Sequence, residues 1–538
     1  MNASTPHTYS RRQLLRLGGQ AALLGALAPR TVYGAGSTAE PGPGSIVGNA
    51  AAARIGEQVL REGGNAIDAA ITAAFAATIC SQVNCGLGGY GGHAMIALAG
   101  GKKITAIDFN STAPAAAHEG MFPLDEKGAV KGQINTLGWL AAGVPGTVAG
   151  LELALTRYGT RTLRQTLAPA IELCSRGTYG TVVKGIDDLG ARDPASARAA
   201  AQTRHRDLGA LLQRLAADNS TEAFYRGDLA AKIAAAFQRH GGLVTRADLA
   251  AFQAREVTPL TLSWNGLVLH TAPLTATGAL VLEACGILKA LNWATLTPEQ
   301  RLHAKLEALR IAWTDRARFF GDPTAVNVPL EKLLGDEHHA AQADKVATAL
   351  KARKPVPLEV DPSRAGGTVN LSAADRHGNL IAITLTHGGG YGAKVVVDGL
   401  GLVLGHGMSR FDPRPGRANS PGPGKRPLNN MCPTVVTRAG VPILAAGGAG
   451  GTRIPNSVYE VLVNHVGLGA PLETAMTAPR LNTDGTLQLG LEKSHSGEDE
   501  AFLKSLGYTT KRAPSANVSV AAFDPVTRQT RGITNGTT

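Results

Sequence analysis

The order of hydrophobic and polar positions predicts helices along most of the chain. Between residues 50 and 78, apolar positions recur at helical spacing on both sides of a Gly63-Gly64-Asn65 break. Two consecutive helices are therefore expected, with Asn65 as the cap of the second. A third helix is predicted from 147 to 158, and i, i+3, i+4 spacing predicts another from 304 to 320.

In the last third of the chain the period changes from helical to alternating. Residues 369–373 and 380–385 are predicted strands, and the Asp/Gly-rich segment 375–379 is the turn between them. A second hairpin is predicted from segments 435–441 and 442–446. Helices followed by paired strands indicate an α+β fold, in which layers of helix pack on sheet.

The N-terminus has the layout of an export signal. Arg11 and Arg12 precede an apolar, glycine-containing stretch, 14–27, which is too short to span a bilayer as a stable helix. We expect residues 1–36 to be a twin-arginine signal that is removed, and the protein to be periplasmic or secreted. An ordinary amphipathic first helix is the alternative. No later segment predicts a membrane span.

Composition narrows the function classes. The formal net charge is +12, but the basic residues are scattered along the sequence, so nucleic-acid binding is not expected. The five cysteines have no zinc-site spacing. Cys80 and Cys85 are close enough in sequence to pair, and two separate thiols are the alternative.

A candidate for chemistry lies where the helical part gives way to strands, at Gly366-Gly367-Thr368. A threonine at the start of a chain is a strong nucleophile because its own α-amine, with a pKa near 8, can act as the base. The open carbonyl of Gly367 suits attack by the Thr368 hydroxyl, which would release that new N-terminus. Taken alone, such a triplet more often marks a turn before a strand.

Eight segments in order give this triplet its context. Together they resemble the gamma-glutamyltransferase (gamma-glutamyltranspeptidase) family of N-terminal nucleophile hydrolases over nearly the whole mature chain. The segments are 63–70 (GGNAIDAA), 143–150 (GVPGTVAG), 224–227 (FYRG), 241–245 (GGLVT), 315–316 with 321–323 (DR, GDP), 375–379 (DRHGN), 424–428 (GKRPL) and 447–454 (GGAGGTRI).

The resemblance implies a four-layer αββα sandwich and a precursor that cuts itself between Gly367 and Thr368. Residues 37–367 would then be the large chain and 368–538 the small chain. No cofactor or metal is implied. The partners expected are a small amide or peptide substrate and the two chains of the same precursor.

Roles follow residue by residue from the same resemblance. Thr368 matches the nucleophile, and Thr386 matches a second threonine that bonds to it and assists processing. Gly450 and Gly451 match the glycine pair whose N–H groups form the oxyanion hole. Two such donors stabilise the negative charge of a tetrahedral intermediate.

The chain departs from the family at the substrate headgroup. Asn110 replaces the arginine that binds the glutamyl α-carboxylate, and Arg410 replaces the acid that binds the α-amine. Asn429 and Asn430 replace two serines that also hold the carboxylate. An arginine would repel the ammonium of a glutamyl group.

Smaller departures surround the same loops. The small chain begins Thr368-Val369-Asn370, where the family has Thr-Thr-His, and Gly407 stands where the family has Glu or Gln. His387 and His406 are additional polar residues near these loops, and lone histidines are more often structural than catalytic.

Three functions remain open. The first is a self-processing amidohydrolase or acyltransferase with an acyl-enzyme on Thr368 and a headgroup other than γ-glutamyl. The second is a genuine gamma-glutamyltransferase or glutathione hydrolase. The third, from another class, is a processed but catalytically idle periplasmic binding protein. The retention of Thr368, Thr386, Gly450 and Gly451 argues against the third.

Overall fold

The computed structural model describes residues 42–176, 194–359 and 367–535, so the predicted signal at 1–36 lies outside the described residues. Within those ranges we find no helix with the length and apolar character needed to cross a bilayer. The helices are α1 (Ala50–Arg61), α2 (Ala66–Cys80), α3 (Thr147–Tyr158), α4 (Leu163–Arg176), α5 (Pro194–Asp218), α6 (Glu222–Tyr225), α7 (Asp228–Arg239), α8 (Arg246–Ala251), α9 (Gly278–Ala290), α10 (Pro298–Phe319), α11 (Leu330–Leu333), α12 (Asp336–Ala352), α13 (Arg453–Leu462), α14 (Leu472–Thr477) and α15 (Gly497–Ser505).

Two six-stranded antiparallel sheets form the centre, with the orders β1-β7-β8-β2-β3-β4 and β17-β16-β12-β11-β6-β5. A small sheet, β13-β14-β15, and a short β9-β10 ribbon lie outside them. The strands are β1 (Gly44–Gly48), β2 (Gly91–Ala97), β3 (Ile104–Asp108), β4 (Arg255–Val257), β5 (Leu260–Trp264), β6 (Leu267–Thr271), β7 (Gly367–Asp375), β8 (Leu380–Gly388), β9 (Val396–Val397), β10 (Leu402–Val403), β11 (Thr434–Arg438), β12 (Val441–Ala449), β13 (Leu481–Asn482), β14 (Gln488–Leu491), β15 (Thr509–Arg512), β16 (Asn517–Phe523) and β17 (Thr530–Thr534).

The two large sheets pack face to face through small side chains. Strands β7 and β8 of the first sheet contact β12 and β16 of the second. The core between them is rich in alanine, including Ala97, Ala382, Ala445 and Ala521. Small residues let the sheets approach closely, and the alternation of each strand sends its other side chains outward to the helices.

Helices cover both outer faces. On the first sheet, α1, α2 and α3 contact β1, β7, β8 and β2, and their apolar residues form one core. On the second sheet, α9 and α13 contact β5, β6, β12 and β16, with α10 and α12 packed against α9. Helix, sheet, sheet and helix are stacked in that order, so the predicted αββα sandwich is confirmed.

Most of the elements that local sequence signals predict are present in the structure. The helix from Thr147 to Tyr158 and the β7–β8 hairpin are both present. The predicted break before Asn65 is also present, since its side chain accepts from the N–H of Asp68 while the Asp68 carboxylate accepts from the N–H of Asn65. This reciprocal capping fixes the start of α2.

The second hairpin differs from its prediction. Strand β11 ends at Arg438, not at residue 441, and the turn lies at Ala439-Gly440, where both residues have positive φ angles (48° and 82°). Strand β12 then runs to Ala449, beyond the predicted end at 446. The glycine of the turn, which accommodates positive φ without strain, was the signal that the strand pattern obscured.

All five cysteines are free thiols in the structure. Cys85 is buried and Cys80 partly buried, and burial raises the pKa of Cys80 to about 11. The two cysteines therefore resemble packed apolar residues more than reactive thiolates.

Candidate active site

Thr368 lies in an irregular step at the start of β7. Gly367 pairs with Gly388 across the sheet, yet Val369 pairs with Leu385. One residue of β7 is therefore opposed by two of β8, Thr386 and His387. Such a β-bulge re-aims side chains locally, and bulges are frequent beside active sites.

Thr386, the predicted assisting threonine, occupies the opposing side of that bulge. Its side chain is buried, and its hydroxyl accepts from the N–H of Gly388 at 2.8 Å. On its other side Thr386 pairs with Gly91 of β2. The structure thus brings Thr368 and Thr386 to adjacent strands at the same level of the sheet.

A small cavity of about 10 Å³ adjoins Thr368, which is room for a single water molecule. It is lined by residues from β1, β7, β12 and β16 and from the loops after β1 and α2. Among these are Asn49, Asn84, Ala449 and Asn517. The cavity therefore connects Thr368 to the end of β12, immediately before the predicted oxyanion glycines.

Gly450 and Gly451 follow β12 and lead into α13. Both have positive φ angles, 147° and 68°. At Gly450 a Cβ would meet Ala516 at 2.9 Å, so a side chain there is excluded by the neighbouring backbone. The N-terminus of α13 begins two residues later, and the positive end of a helix dipole favours developing negative charge.

Asn370, which replaces the family's histidine, is part of the sheet core. Its side chain is buried between Thr384, Ser372 and the backbone of Gly447. The amide orientation that satisfies both ends donates to Thr384 Oγ1 at 2.8 Å and to the Ile383 carbonyl at 3.1 Å. This side chain fixes β7 against β8, and the residue also lines the small cavity beside Thr368.

His387 and His406 lie together behind the bulge. The backbone N–H of His406 donates to the carbonyl of His387 at 2.9 Å, and both rings are buried. Burial lowers the pKa of both histidines to about 3, with smaller effects of His406 on His387 and of Arg410 on His406. Both are neutral near pH 7, so they add no charge beside Thr368.

Arg410 reaches the same level of the sheet from a short helical turn at Gly407–Arg410. Its Nη2 donates to the carbonyl of Gly388 at 3.0 Å, and Gly388 is the ladder partner of Gly367. Because paired strands lie about 5 Å apart, this guanidinium is roughly 10 Å or less from the Gly367–Thr368 bond. The side chain is partly buried and directed inward.

A second buried guanidinium, Arg316 of α10, lies in the same region. Its Nη2 donates to the Asn429 carbonyl and to Asn430 Oδ1, both at 3.2 Å. Burial, followed by the charge of Arg410, lowers the pKa of Arg316 to about 10. Among the described residues, no carboxylate forms an ion pair with Arg316. The sequence gives no signal for this role, because Arg316 is far along the chain from Asn429 and Asn430 and meets them only in the folded structure.

Asn110 is placed differently from the arginine that it replaces. It is fully buried, and its amide donates to Thr275 Oγ1 and to the Pro427 carbonyl, both at 2.6 Å. Asn429 Nδ2 lies 2.9 Å from His93 Nε2, also in the interior. The side-chain amides of Asn110 and Asn429 therefore support the interior loops. Asn430, in contrast, lies beside the cation Arg316, and Arg410 is the second cation of the site.

A buried ionic cluster lies directly below Asn110. Asp108 is held by Arg255 at 2.6 Å and by Arg426 at 3.6 Å. Burial alone would raise the pKa of Asp108, but Arg426, His93 and Arg255 together lower it below its ordinary value. Arg426 is thereby paired inside the protein and does not replace the family arginine missing at 110.

Comparison with known proteins matches this architecture. The sequence model of the gamma-glutamyltranspeptidase family matches residues 52–537. The chain belongs to the gamma-glutamyltranspeptidase family. Its members are N-terminal nucleophile hydrolases that catalyse amide hydrolysis or acyl transfer, and this chain is an enzyme of that type.

The family contains relatives with more than one named activity. The chain is 34% identical over 463 residues to the glutathione hydrolase proenzyme of Pseudomonas sp. (strain A14), covering 80% of each protein. It is 32% identical over 500 residues to the acylase ACY 1 proenzyme of Pseudomonas sp. (strain V22), covering 88% of each. The fold also matches the cephalosporin acylase of Bacillus halodurans (TM-score 0.77, 24% identity, 94% of this chain and 99% of that chain).

Proposed function

We propose that the protein is a self-processing amidohydrolase or acyltransferase that carries its acyl group on Thr368 and accepts an acyl group bearing a carboxylate but no α-amine. The observation that carries the headgroup proposal is the inward position of Arg410, bonded to the carbonyl opposite Gly367. Arg316 supports it as a second buried cation in the same region.

Processing begins with the Thr368 hydroxyl attacking the carbonyl carbon of Gly367. The peptide C–N bond breaks as the new ester forms, and the nitrogen leaves as the α-amine of Thr368. Water then hydrolyses the ester, which frees the carboxylate of Gly367 and restores the hydroxyl. Two relatives of the chain are proenzymes, and Thr368 lies at a bulge, and both observations support this sequence of steps.

Turnover uses the same atoms with an external amide. The free α-amine of Thr368 accepts the hydroxyl proton while the oxygen attacks the substrate carbonyl, and the amine leaving group departs with a proton. The N–H groups of Gly450 and Gly451 stabilise the oxyanion. Water, or a second amine, then takes the acyl group from Thr368.

The headgroup assignment rests on charge. A buried ammonium beside two guanidinium groups would be repelled, whereas a carboxylate would form charge-assisted hydrogen bonds. An extended glutaryl chain together with one hydrogen bond spans roughly 8 Å, which lies within the bound of roughly 10 Å between Thr368 and Arg410. Glutaryl-type amides therefore fit, and one relative of the chain is an acylase proenzyme.

Trapping the acyl-enzyme tests the proposal. The processed enzyme is mixed with a glutaryl anilide, quenched in acid, and the small chain is weighed and mapped by mass spectrometry. One glutaryl group on Thr368 is expected. A small chain that remains unmodified while product accumulates would contradict the Thr368 assignment, and absence of any product would favour the glutathione-hydrolase alternative or an idle binding protein.

Export remains a separate proposal. We infer from Arg11 and Arg12 that the precursor leaves the cytoplasm by the twin-arginine route. Replacing both by lysine should retain the protein inside the cell, and unchanged export would contradict the inference.

A further inference from the structure

Away from the active site, three helices bring Glu283, Asp315 and His338 together. These residues belong to α9, α10 and α12, on the outer face of the second sheet. His338 Nε2 lies 2.9 Å from Glu283 Oε1 and 3.6 Å from Asp315 Oδ2. One ligand atom from each residue lies within 4.8 Å of the other two.

The charges of this cluster are not balanced by its own residues. The Glu283 side chain has no exposed area, and its Oε2 has no hydrogen-bond partner among the described residues. Its neighbour in the cluster is another carboxylate, Asp315, and two ionised carboxylates cannot hydrogen-bond each other. An uncompensated charge at this depth is costly, so a proton or a cation between these groups would stabilise the cluster.

The donor set selects the kind of cation. One imidazole nitrogen and two carboxylate oxygens suit Zn²⁺ and similar transition-metal ions, while Ca²⁺ and Mg²⁺ prefer six or more oxygens. Zinc binds such atoms at about 2.0–2.2 Å, so tetrahedral ligands are roughly 3.3 Å apart. The distances of 2.9 and 3.6 Å lie on either side of that value.

The surroundings leave a way in for an ion. Asp315 and His338 retain 17% and 10% of their side-chain exposure, so the cluster opens to solvent on their side. A water could occupy the fourth position there. A divalent ion would neutralise both carboxylates. Lys332 and Lys345 are close enough to act on His338, but among the described residues neither forms an ion pair with Glu283 or Asp315.

We propose that Glu283, Asp315 and His338 form a binding site for a divalent transition-metal ion of the zinc type. The ion would join α12 to α9 and α10. Asp315 precedes Arg316 in α10, so the same ion would help to hold the helix that presents Arg316 to Asn429 and Asn430. The site is structural in this account, since none of its three ligands faces Thr368.

Metal titration of the processed, tag-free enzyme tests the proposal. After removal of metals with a chelator, isothermal titration with Zn²⁺ should show one site per molecule. Co²⁺ at the same site should give the visible absorption of a tetrahedral complex. His338→Gln should weaken Zn²⁺ binding by about 100-fold or more, because loss of even an outer partner of a ligand commonly costs 10- to 100-fold.

Controls separate the metal site from other effects. His240→Gln removes an exposed histidine that stacks on Trp139 and should leave binding unchanged. Glu283→Gln keeps the shape of the side chain and should abolish the cobalt spectrum in protein that retains its circular dichroism. Absence of stoichiometric Zn²⁺ binding, or equal binding by the wild type and His338→Gln, would overturn the proposal and leave a shared proton between the carboxylates.

Discussion

The two ends of the candidate site differ in what shapes them. The proposed catalytic region, comprising Thr368, Thr386, Gly450 and Gly451, is shaped by backbone: a bulge opposite Thr386 and a glycine turn with positive φ angles. The proposed headgroup region, around Arg410, is shaped by side chains, since Arg410 donates to the Gly388 carbonyl and Arg316 donates to the Asn429 carbonyl and to the side chain of Asn430.

This difference indicates how one fold supports several acyl substrates. Backbone geometry that positions a nucleophile and an oxyanion hole tolerates little change, because each donor must lie within tenths of an ångström of its position. Charged side chains on loops can be exchanged with less damage to the fold. Membership in the gamma-glutamyltranspeptidase family is therefore compatible with the changed headgroup charge that we propose.

The largest effect is expected at Thr368. Thr368→Ala should abolish both cleavage and turnover, because no hydroxyl remains to attack the Gly367 carbonyl. Thr368→Ser should retain slower processing. Gel analysis and N-terminal sequencing check this, with a small chain that begins at residue 368 expected only in the wild type and the serine variant. Normal cleavage of the alanine variant would show that Thr368 is not the nucleophile that cleaves the precursor.

The next effect concerns the oxyanion glycines. Gly451→Val should lower kcat by on the order of 10²-fold or more, because a β-branched residue cannot keep a φ of 68° and the N–H donor would shift. Gly469→Val is the matched control, since Gly469 has nearly the same φ, 69°, in a distant turn. Equal losses in the two processed variants would indicate general destabilisation and not loss of a donor.

Charge reversal at Arg410 addresses the headgroup region. Arg410→Asp should lower kcat/KM for a glutaryl anilide by about 10- to 100-fold, the range for a charge-assisted hydrogen bond, and raise the relative activity on the γ-glutamyl compound. Arg417→Asp changes the same charge on an exposed residue of the nearby loop and should have little effect. If both variants lose glutaryl activity equally, long-range charge and not contact is responsible.

The smallest effect is a dependence of stability on pH. His387 is buried with a pKa of about 3, below the value of about 6.5 in an unfolded chain. The stability gained by keeping His387 neutral is fully present above pH 6.5 and is lost as pH falls toward 3. In that range the free energy of unfolding changes by about 1.4 kcal/mol per pH unit. Unfolding free energies of Thr368→Ala precursors near pH 5 and 7 measure this slope.

A second histidine variant completes that experiment. His387→Asn should reduce the slope of stability with pH, while His118→Asn, at an exposed histidine, should not. An unchanged slope in His387→Asn would mean that His387 is not held in its neutral form beside the catalytic region.

Sequence predicted the local elements and the layer order better than it predicted contacts. The β7–β8 hairpin and α3 follow from turn residues and periodicity, which act within a few positions. The bulge at Thr368 does not follow from such local signals, because it depends on the register between two strands. The β11–β12 turn was missed for a different reason, since its local signal, Gly440, lay inside a segment that was interpreted as strand.

The direction of Arg410 also required the structure. Arginine is usually exposed, and the contacts of this one include the carbonyl of Gly388 and the buried hydroxyl side chain of Tyr90, which no local sequence pattern indicates. The cluster of Glu283, Asp315 and His338 is similar, because residues on three separate helices have no common spacing in the sequence. Contacts of this kind arise from helix packing and leave no local pattern.

The central claim is that the catalytic region keeps the residue types of the family while the residues that bind the acyl headgroup are changed. One comparison tests this claim most directly. On processed wild-type enzyme, kcat/KM is measured for glutaryl and γ-glutamyl anilides with the same leaving group. These substrates differ only in the α-amine, so leaving-group chemistry cancels. The account predicts that the glutaryl compound is preferred by about 10-fold or more, as expected when an ammonium would lie beside Arg410 and Arg316. Equal values, or a preference for the γ-glutamyl compound, would contradict it.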